Sequence, residues 1–208
     1  MVFNMMKQHK KSRSELKRDA ILCAAREAFH EFGVQNTSMD KLASLANVSK
    51  RTVYNHFSAK EALVMELLSE LWRDSTPPES LKDMESQSLE VQLTTLLLQE
   101  IYVFAQPSYL DMAKVAFGHF LFKPEELQEQ INQMSKEDTA LYVWLKQQTE
   151  SGALDIKDLL KALSQLHNLI KGAAFWPQLI GAKAPIEGEE SRMLANDTAR
   201  LFLSFYAK

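Results

Sequence analysis

The chain has 208 residues, of which 46% are hydrophobic and 25% charged, enough for a sizeable core in one or two domains. Six glycines and six prolines disfavour an all-β chain of many tight turns, and a single cysteine excludes an internal disulfide, which fits a reducing cytoplasm. No apolar run reaches roughly 18 residues, and none of signal-peptide length follows the basic N-terminus, so we expect neither a membrane span nor secretion.

Charge is distributed unevenly along the chain. Residues 1–60 carry eleven Lys and Arg against five Asp and Glu, a balance of +6, whereas residues 61–208 carry thirteen against twenty-two, a balance of −9. This asymmetry indicates that the N-terminal part meets a polyanion and the rest does not, although charge also fluctuates along ordinary chains.

Helical periodicity is the first structural signal. Apolar residues return to one face over residues 14–32, and Gly33 follows where a helix C-cap needs positive φ. Thr37 and Asp40 have the spacing of a capping box, so a short second helix is predicted from there to about Asn47.

A third helix is predicted directly after Asn47. Asparagine tolerates a left-handed backbone, so it can make a tight turn, and Ser49 is a good N-cap. Val53 and Phe57, four residues apart, would face inward with Val48. The side chains left outside are Lys50, Arg51, Thr52, Tyr54, Asn55 and His56.

Two short helices joined by about three residues form a helix-turn-helix, whose second helix enters the DNA major groove with its N-terminal residues nearest the bases. The exposed residue types suit this role, because arginine pairs with guanine and asparagine with adenine, while lysine and hydroxyl groups suit phosphates. Arg51, Thr52 and Asn55 are the best candidates for contacts to base edges or backbone. The segment is therefore expected to contact DNA.

The segments "AAREAFHEFG" and "TSMDKLASLANVSKRTVYNHFSAKEAL" resemble the N-terminal domain of TetR/AcrR-type transcriptional regulators over about residues 14–70. The matching positions are Thr37, Leu42, Ala43, Ala46, Val48, Ser49, Tyr54, His56, Phe57, Lys60 and Leu63. Asn47 departs from the common turn glycine, and Arg51 replaces a frequent glycine, which would shift base preference. The resemblance implies an all-α homodimer, with an N-terminal three-helix helix-turn-helix DNA-binding domain and a larger C-terminal helical ligand-binding and dimerisation domain.

The candidate DNA-binding residues follow from the residue chemistry and from the resemblance. They are Thr37, Ser49, Lys50, Arg51, Thr52, Tyr54, Asn55, His56 and Lys60. Plainer roles stay open for several of them. Tyr54 could rim the surface, His56 could pack on Phe57, Lys60 could be solvated, and Thr37 could serve mainly as the N-cap of the second helix.

Three domains or segments are expected along the chain. Residues 1–13 form a flexible basic arm, residues 14–60 the DNA-binding domain, and residues 61–208 the helical sensing and dimerisation domain. The arm, with neighbouring Lys17, either follows the DNA backbone or minor groove or is a solvated tail; its basic residues are Lys7, Lys10, Lys11 and Arg13.

Beyond Pro77-Pro78, apolar residues recur with helical spacing and no strand pattern appears. The predicted helical segments, with breaks near Pro107, Pro124 and Pro185, are 88–105, 108–122, 124–150, 155–180 and 190–206. A break within 124–150 is left open.

The last two segments carry wide apolar stripes, and the resemblance implies that the final two helices pair with their copies across a two-fold axis. The predicted interface residues are Leu159, Leu163, Leu166, Ile170, Leu194, Leu201, Phe202 and Phe205. The alternative is that these stripes face the core of their own chain.

An effector pocket is the other feature that the resemblance implies. Candidate lining residues are Met65, Trp72, Tyr102, Met112, Phe117, Phe120, Trp144, Phe175 and Trp176. Apolar walls are typical of small-molecule pockets, although each of these residues could be plain core. Their aromatic character favours an apolar or aromatic effector.

Cys23, mid-helix beside Ala24 and Ala25, is expected to be buried and inert.

No phosphate-binding glycine loop, nucleophile elbow or zinc-ligand spacing is present in the sequence, so no catalytic residue, metal or cofactor is predicted. The expected function is that of a ligand-responsive repressor. It would bind a near-palindromic operator as a homodimer and be released by a small apolar or aromatic effector. The alternatives are an effector-independent DNA-binding or partner-assembly protein and, with the least support, an enzyme.

Overall fold

A computed structural model describes residues 12–75, 78–123, 125–126, 129 and 139–208, except for the side chains of 72–75 and 78–80. These residues form helices and connecting segments. The β-type backbone pairing found among them is an isolated antiparallel bridge between Leu154 and Ala207. The predicted all-α class is thereby confirmed. Predictions for the arm lysines, for the side chain of Trp72 and for most of 124–138 lie outside the described residues.

The chain forms two compact units, residues 1–63 and 64–208. In the first unit, α1 spans Arg13–Phe32, α2 Met39–Leu45 and α3 Lys50–His56. Helix α4, Lys60–Ser75, begins in this unit and continues past its boundary. The first unit has a shared core, because every helix in it contributes fully buried apolar side chains: Ile21, Ala25, Leu42, Val53 and Leu63.

Helix capping agrees with the sequence at most ends and differs at one. Gly33 ends α1 with φ 78°, as predicted. The N-cap of α2 is Ser38, whose side chain accepts from the backbone N–H of Lys41, so the Thr37 N-cap prediction was wrong. Thr37 is buried, and its hydroxyl donates to the carbonyl of Gly33 at 2.9 Å. Thr37 and Ser38 can both cap a helix, and Ser38 is the cap because packing buries the side chain of Thr37.

Cys23 is exposed, with its thiol 3.7 Å from a carboxylate oxygen of Glu27, which contradicts the expected burial. The inner face of α1 is set by Ile21, Ala25 and Ala28. At about 100° per residue, Cys23 lies some 200° from Ile21 and therefore on the outer side of the helix.

The second unit is built around α5. Its elements after α4 are a 3₁₀ helix at Pro78–Met84, α5 at Leu89–Ala105, α6 at Pro107–Phe120, α7 at Ala140–Glu150, α8 at Leu159–Ala174, α9 at Trp176–Leu179 and α10 at Gly188–Tyr206. Helix α5 packs against α6, α7, α8 and α10. Its buried apolar residues are Leu93, Leu96, Leu97, Ile101, Val103 and Phe104.

Proline positions explain two of the helix boundaries. Pro107 begins α6 directly after α5 ends, as predicted. The segment predicted as 155–180 is two helices, because Pro177 has no N–H to continue α8 and the backbone breaks at Phe175, with φ −126° and ψ −62°.

No helix in the described ranges is long and apolar enough to cross a membrane.

Candidate nucleic-acid interface and helical interior

The turn between α2 and α3 has the geometry that the sequence predicts. Asn47 has φ 52°, and it alone among the described non-glycine residues has a positive φ. The N–H of Val48 bonds to the carbonyl of Ala43 at 3.0 Å, and the Ser49 hydroxyl accepts from the N–H of Thr52 at 3.1 Å. Asparagine thus makes the tight turn, and serine caps the helix that follows.

Helix α3 has one buried side and one polar side. Val53 and Phe57 are buried, as predicted, while Arg51, Tyr54 and Asn55 are exposed. Thr52 and His56 are half-buried at the edges. The polar flank is therefore open to a partner.

Lys50 is held in place by an ion pair with α2. Its Nζ lies 2.8 Å from Oδ1 of Asp40 and 5.9 Å from the ring centre of Tyr54. The hydrogen bond to Asp40, followed by its charge, raises the pKa of Lys50, so the lysine remains cationic. Exposed ion pairs contribute little stability, and a phosphate can therefore share this cation.

The side chains of Thr37 and Lys60 are directed at backbone carbonyls of the first unit. The buried hydroxyl of Thr37 is directed at backbone carbonyls, so its side chain is removed from the candidate contacts. The ammonium of Lys60 donates to the carbonyls of Val34 at 2.8 Å and Gln35 at 3.5 Å. An ammonium has three donors, so a phosphate contact by Lys60 would use the third.

The second unit contains a buried acid–base pair. Glu100 of α5 and His167 of α8 are 4% and 8% exposed, and Nε2 of His167 lies 3.2 Å from Oε2 of Glu100. Burial and then the charge of Glu100 raise the pKa of the neighbouring Tyr109, so its hydroxyl stays protonated. Glu100 is not among the site residues predicted from the sequence. The signal was present, because Glu100 continues the spacing of Leu96 and Phe104 on the buried face of α5.

Five aromatic rings form a contiguous group, which we call the aromatic cluster. Contacting rings have centroids 4.9 to 6.1 Å apart. The cluster consists of Phe104, Tyr109, Phe117, Phe175 and Trp176, contributed by α5, α6 and the α8–α9 junction. Three predicted pocket residues, Phe117, Phe175 and Trp176, are therefore brought together.

The other predicted pocket residues have different surroundings. Tyr102 is exposed on the outer side of α5, because the neighbouring Ile101 and Phe104 define the inner side; its assignment to a pocket wall was wrong. Trp144 is buried, and its Nε1 donates to Oε1 of Gln92 at 2.7 Å. Gln92 lies roughly 18 Å along α5 from Phe104, so Trp144 is remote from the aromatic cluster. Met112 and Phe120 are buried in α6, and Met65 is half-buried in α4.

The predicted interface stripe divides into a buried part and an exposed part. Leu163, Leu166, Ile170 and Phe202 are buried within their own chain, so their assignment to an interface was wrong. Leu159 and Leu194 are half-buried, whereas Leu201 and Phe205 are exposed. Sequence periodicity identifies an apolar face but not what covers it.

The exposed apolar side chains of the last helix, α10, form an outer face. Met193, Leu201 and Phe205 fall within about 120° of one another on α10. Leu160 and Leu169 are also exposed, but they lie about 180° apart on α8 and so on opposite sides of that helix. The two helices are antiparallel neighbours, since the hydroxyl of Tyr206 donates to Oε1 of Gln165 at 2.6 Å and Leu154 pairs with Ala207. We call Met193, Leu201 and Phe205 the outer apolar face.

Comparison with known proteins covers both units. Residues 21–67 match the bacterial regulatory proteins of the tetR family, and residues 91–208 match the C-terminal domain of AefR-like transcriptional repressors. YhgD of Bacillus subtilis, an HTH-type transcriptional regulator, is 44% identical over 54 residues, which are 26% of this chain and 28% of YhgD.

Solved structures match over most of the chain. A TetR family regulator from Pseudomonas syringae pv. tomato is 34% identical, with a TM-score of 0.64 over 92% of this chain and 96% of that one. A TetR-family regulator from Mesorhizobium loti shares the fold, at 23% identity and a TM-score of 0.73 over 95% of this chain and 100% of that one. These relatives are transcriptional regulators and not enzymes. The chain belongs to the TetR family of bacterial transcriptional regulators.

Proposed function

We propose that this chain is a ligand-responsive repressor, acting in the cytoplasm, that binds a near-palindromic operator as a homodimer through the polar flank of α3. The observation that carries the proposal is this flank, where Arg51, Tyr54 and Asn55 are exposed on a helix anchored by buried Val53. Regulators of this family bind DNA and small-molecule effectors and are typically dimeric.

Each exposed residue of α3 has a specific role in the proposed complex. Arg51 and Asn55 are four residues apart, so they lie on one side of the helix and can read neighbouring base edges. Tyr54 and the paired cation of Lys50 suit phosphate oxygens, which fix the register of the helix in the groove. Ser49 and Thr52 contribute mainly through the helix cap.

A two-fold dimer is proposed to form through the outer apolar face. Exposed apolar patches of this kind usually mark interfaces. Two copies of α3 related by a two-fold axis would occupy successive major grooves about 34–36 Å apart, which matches a palindromic site. The half-buried Leu159 and Leu194 would lie at the edge of the contact.

The aromatic cluster is proposed as the wall of the effector site. It has the apolar character of small-molecule pockets, with the Glu100–His167 pair as nearby polar groups. An effector releases DNA only if it binds more tightly to a conformation with lower DNA affinity. Helix α4 is the covalent link through which such a change would pass.

Arg51→Ala should weaken operator binding by about 1–3 kcal/mol and relax the preference for one base pair, because a bidentate contact to guanine would be lost. Fluorescence anisotropy with the operator and single-base variants measures both effects. The control is Arg192→Ala, which removes an exposed arginine from α10. Equal losses on all DNA sequences would assign Arg51 to the phosphate backbone instead.

A further inference from the structure

The side chain of Gln178 is buried without a hydrogen-bond partner. It is 4% exposed, and both its Nε2 and its Oε1 are buried and unpaired. Buried amides are normally paired, because an unmet donor or acceptor loses the hydrogen bonds that water would provide. Such an amide needs a ligand or a buried water to complete its hydrogen bonding.

Gln178 is next to the aromatic cluster. It lies on α9, which packs against α6 and α8, and it follows Phe175 and Trp176 in the chain. Phe117 of α6 contacts both of these rings, at 6.1 and 5.2 Å between centroids. Phe175 is buried while Trp176 is 43% exposed, so the cluster extends from the interior to the surface.

The chemistry of the amide restricts the ligand. A carboxamide presents an acceptor beside N–H donors in one plane, and its complement is a group with a donor beside an acceptor. Aromatic walls favour a planar aromatic body.

We propose that Gln178 recognises a planar aromatic effector through a lactam or carboxamide edge. The ligand N–H would donate to Oε1 of Gln178, and the ligand carbonyl would accept from Nε2. This inference rests on the proposed effector-responsive function, and it names the recognition group and the ligand class of that site.

Paired probes test the proposal on the full-length wild-type protein. The probes are 2-quinolone, isoquinolin-1-one and 1-naphthamide. Each is compared by calorimetry with the form in which no amide N–H remains: the N-methyl form of the two lactams and N,N-dimethyl-1-naphthamide. In at least one pair the unmethylated probe should bind at least about 10-fold more tightly, because methylation removes the donor that Oε1 needs. Equal affinity within every pair would overturn the proposal.

Gln178→Met tests the same site with and without ligand. Methionine keeps the length of the side chain and removes both unmet polar atoms, so we expect a higher Tm for the ligand-free protein and no remaining preference within the probe pairs. Gln165→Met is the matched control, since Oε1 of Gln165 already accepts from Tyr206 and its loss should not raise the Tm. A lower Tm for Gln178→Met, or a preference that survives the change, would contradict the proposal.

Operator binding by the wild-type protein without probe tests the proposed function separately. If the protein binds its operator and yet shows no donor preference, only the inference about Gln178 fails. If it binds no operator, the repressor proposal fails whatever the probes show.

Discussion

Replacing Leu201 and Phe205 together by glutamate should give a folded monomer that binds operator DNA at least about 100-fold more weakly, because it loses the avidity of two linked DNA-binding units. The two side chains are 58% and 78% exposed, so glutamates at these positions stay hydrated in the single chain. In a dimer built on the outer apolar face, the same charges would be buried without partners.

Sedimentation measures the oligomeric state, circular dichroism the fold, and anisotropy the DNA affinity of this double variant. Tyr102→Glu is the matched control, because Tyr102 is a comparably exposed aromatic residue on α5 and not on α8 or α10. A double variant that remains dimeric would exclude the outer apolar face as the interface. A monomeric double variant that binds the operator as tightly as the wild-type protein would show that DNA binding does not require the dimer.

Removal of one partner of the Glu100–His167 pair should strongly destabilise the second unit. His167→Leu leaves a buried carboxylate without its partner, and breaking a pair of this kind lowers the free energy of unfolding by about 3–5 kcal/mol. Replacing both residues by leucine should be much less harmful, since no isolated charge remains. Urea denaturation of both single variants and the double variant gives the coupling energy.

A matched pair elsewhere in the chain serves as the control. His119 lies 3.7 Å from a carboxylate oxygen of Glu126, but these side chains are 28% and 54% exposed. Water screens the pair, so His119→Leu should change the free energy of unfolding by no more than about 1 kcal/mol. Equal effects of His119→Leu and His167→Leu, or a double variant less stable than His167→Leu, would contradict the assigned role of burial.

The DNA-binding unit was predictable from the sequence because its signals are local. The turn at Asn47, the cap at Ser49 and the burial of Val53 each depend on residues within a few positions. The cap of α2 was misplaced by one residue, since Thr37 and Ser38 have the same capping chemistry. Only the packing of the unit directs Thr37 inward.

The second unit was less predictable, because its features depend on contacts between distant segments. The apolar stripe that contains Leu166 and Ile170 was correctly identified as one face of an amphipathic helix. The pattern does not show whether such a face packs in the core of its own chain or in an interface. The unmet amide of Gln178 has no sequence signal, because nothing in its neighbours shows whether a partner exists. The buried position of Glu100 had a signal in its helical spacing.

The most direct test of the central claim, that the polar flank of α3 docks on base-pair edges, is a mobility-shift assay at low ionic strength with duplex DNA that flanks the gene for this chain. The account predicts a retarded complex that the same unlabelled duplex abolishes and a scrambled duplex does not. It also predicts that Arg51→Ala weakens this complex. Failure of the wild-type protein to retard any duplex would contradict the account.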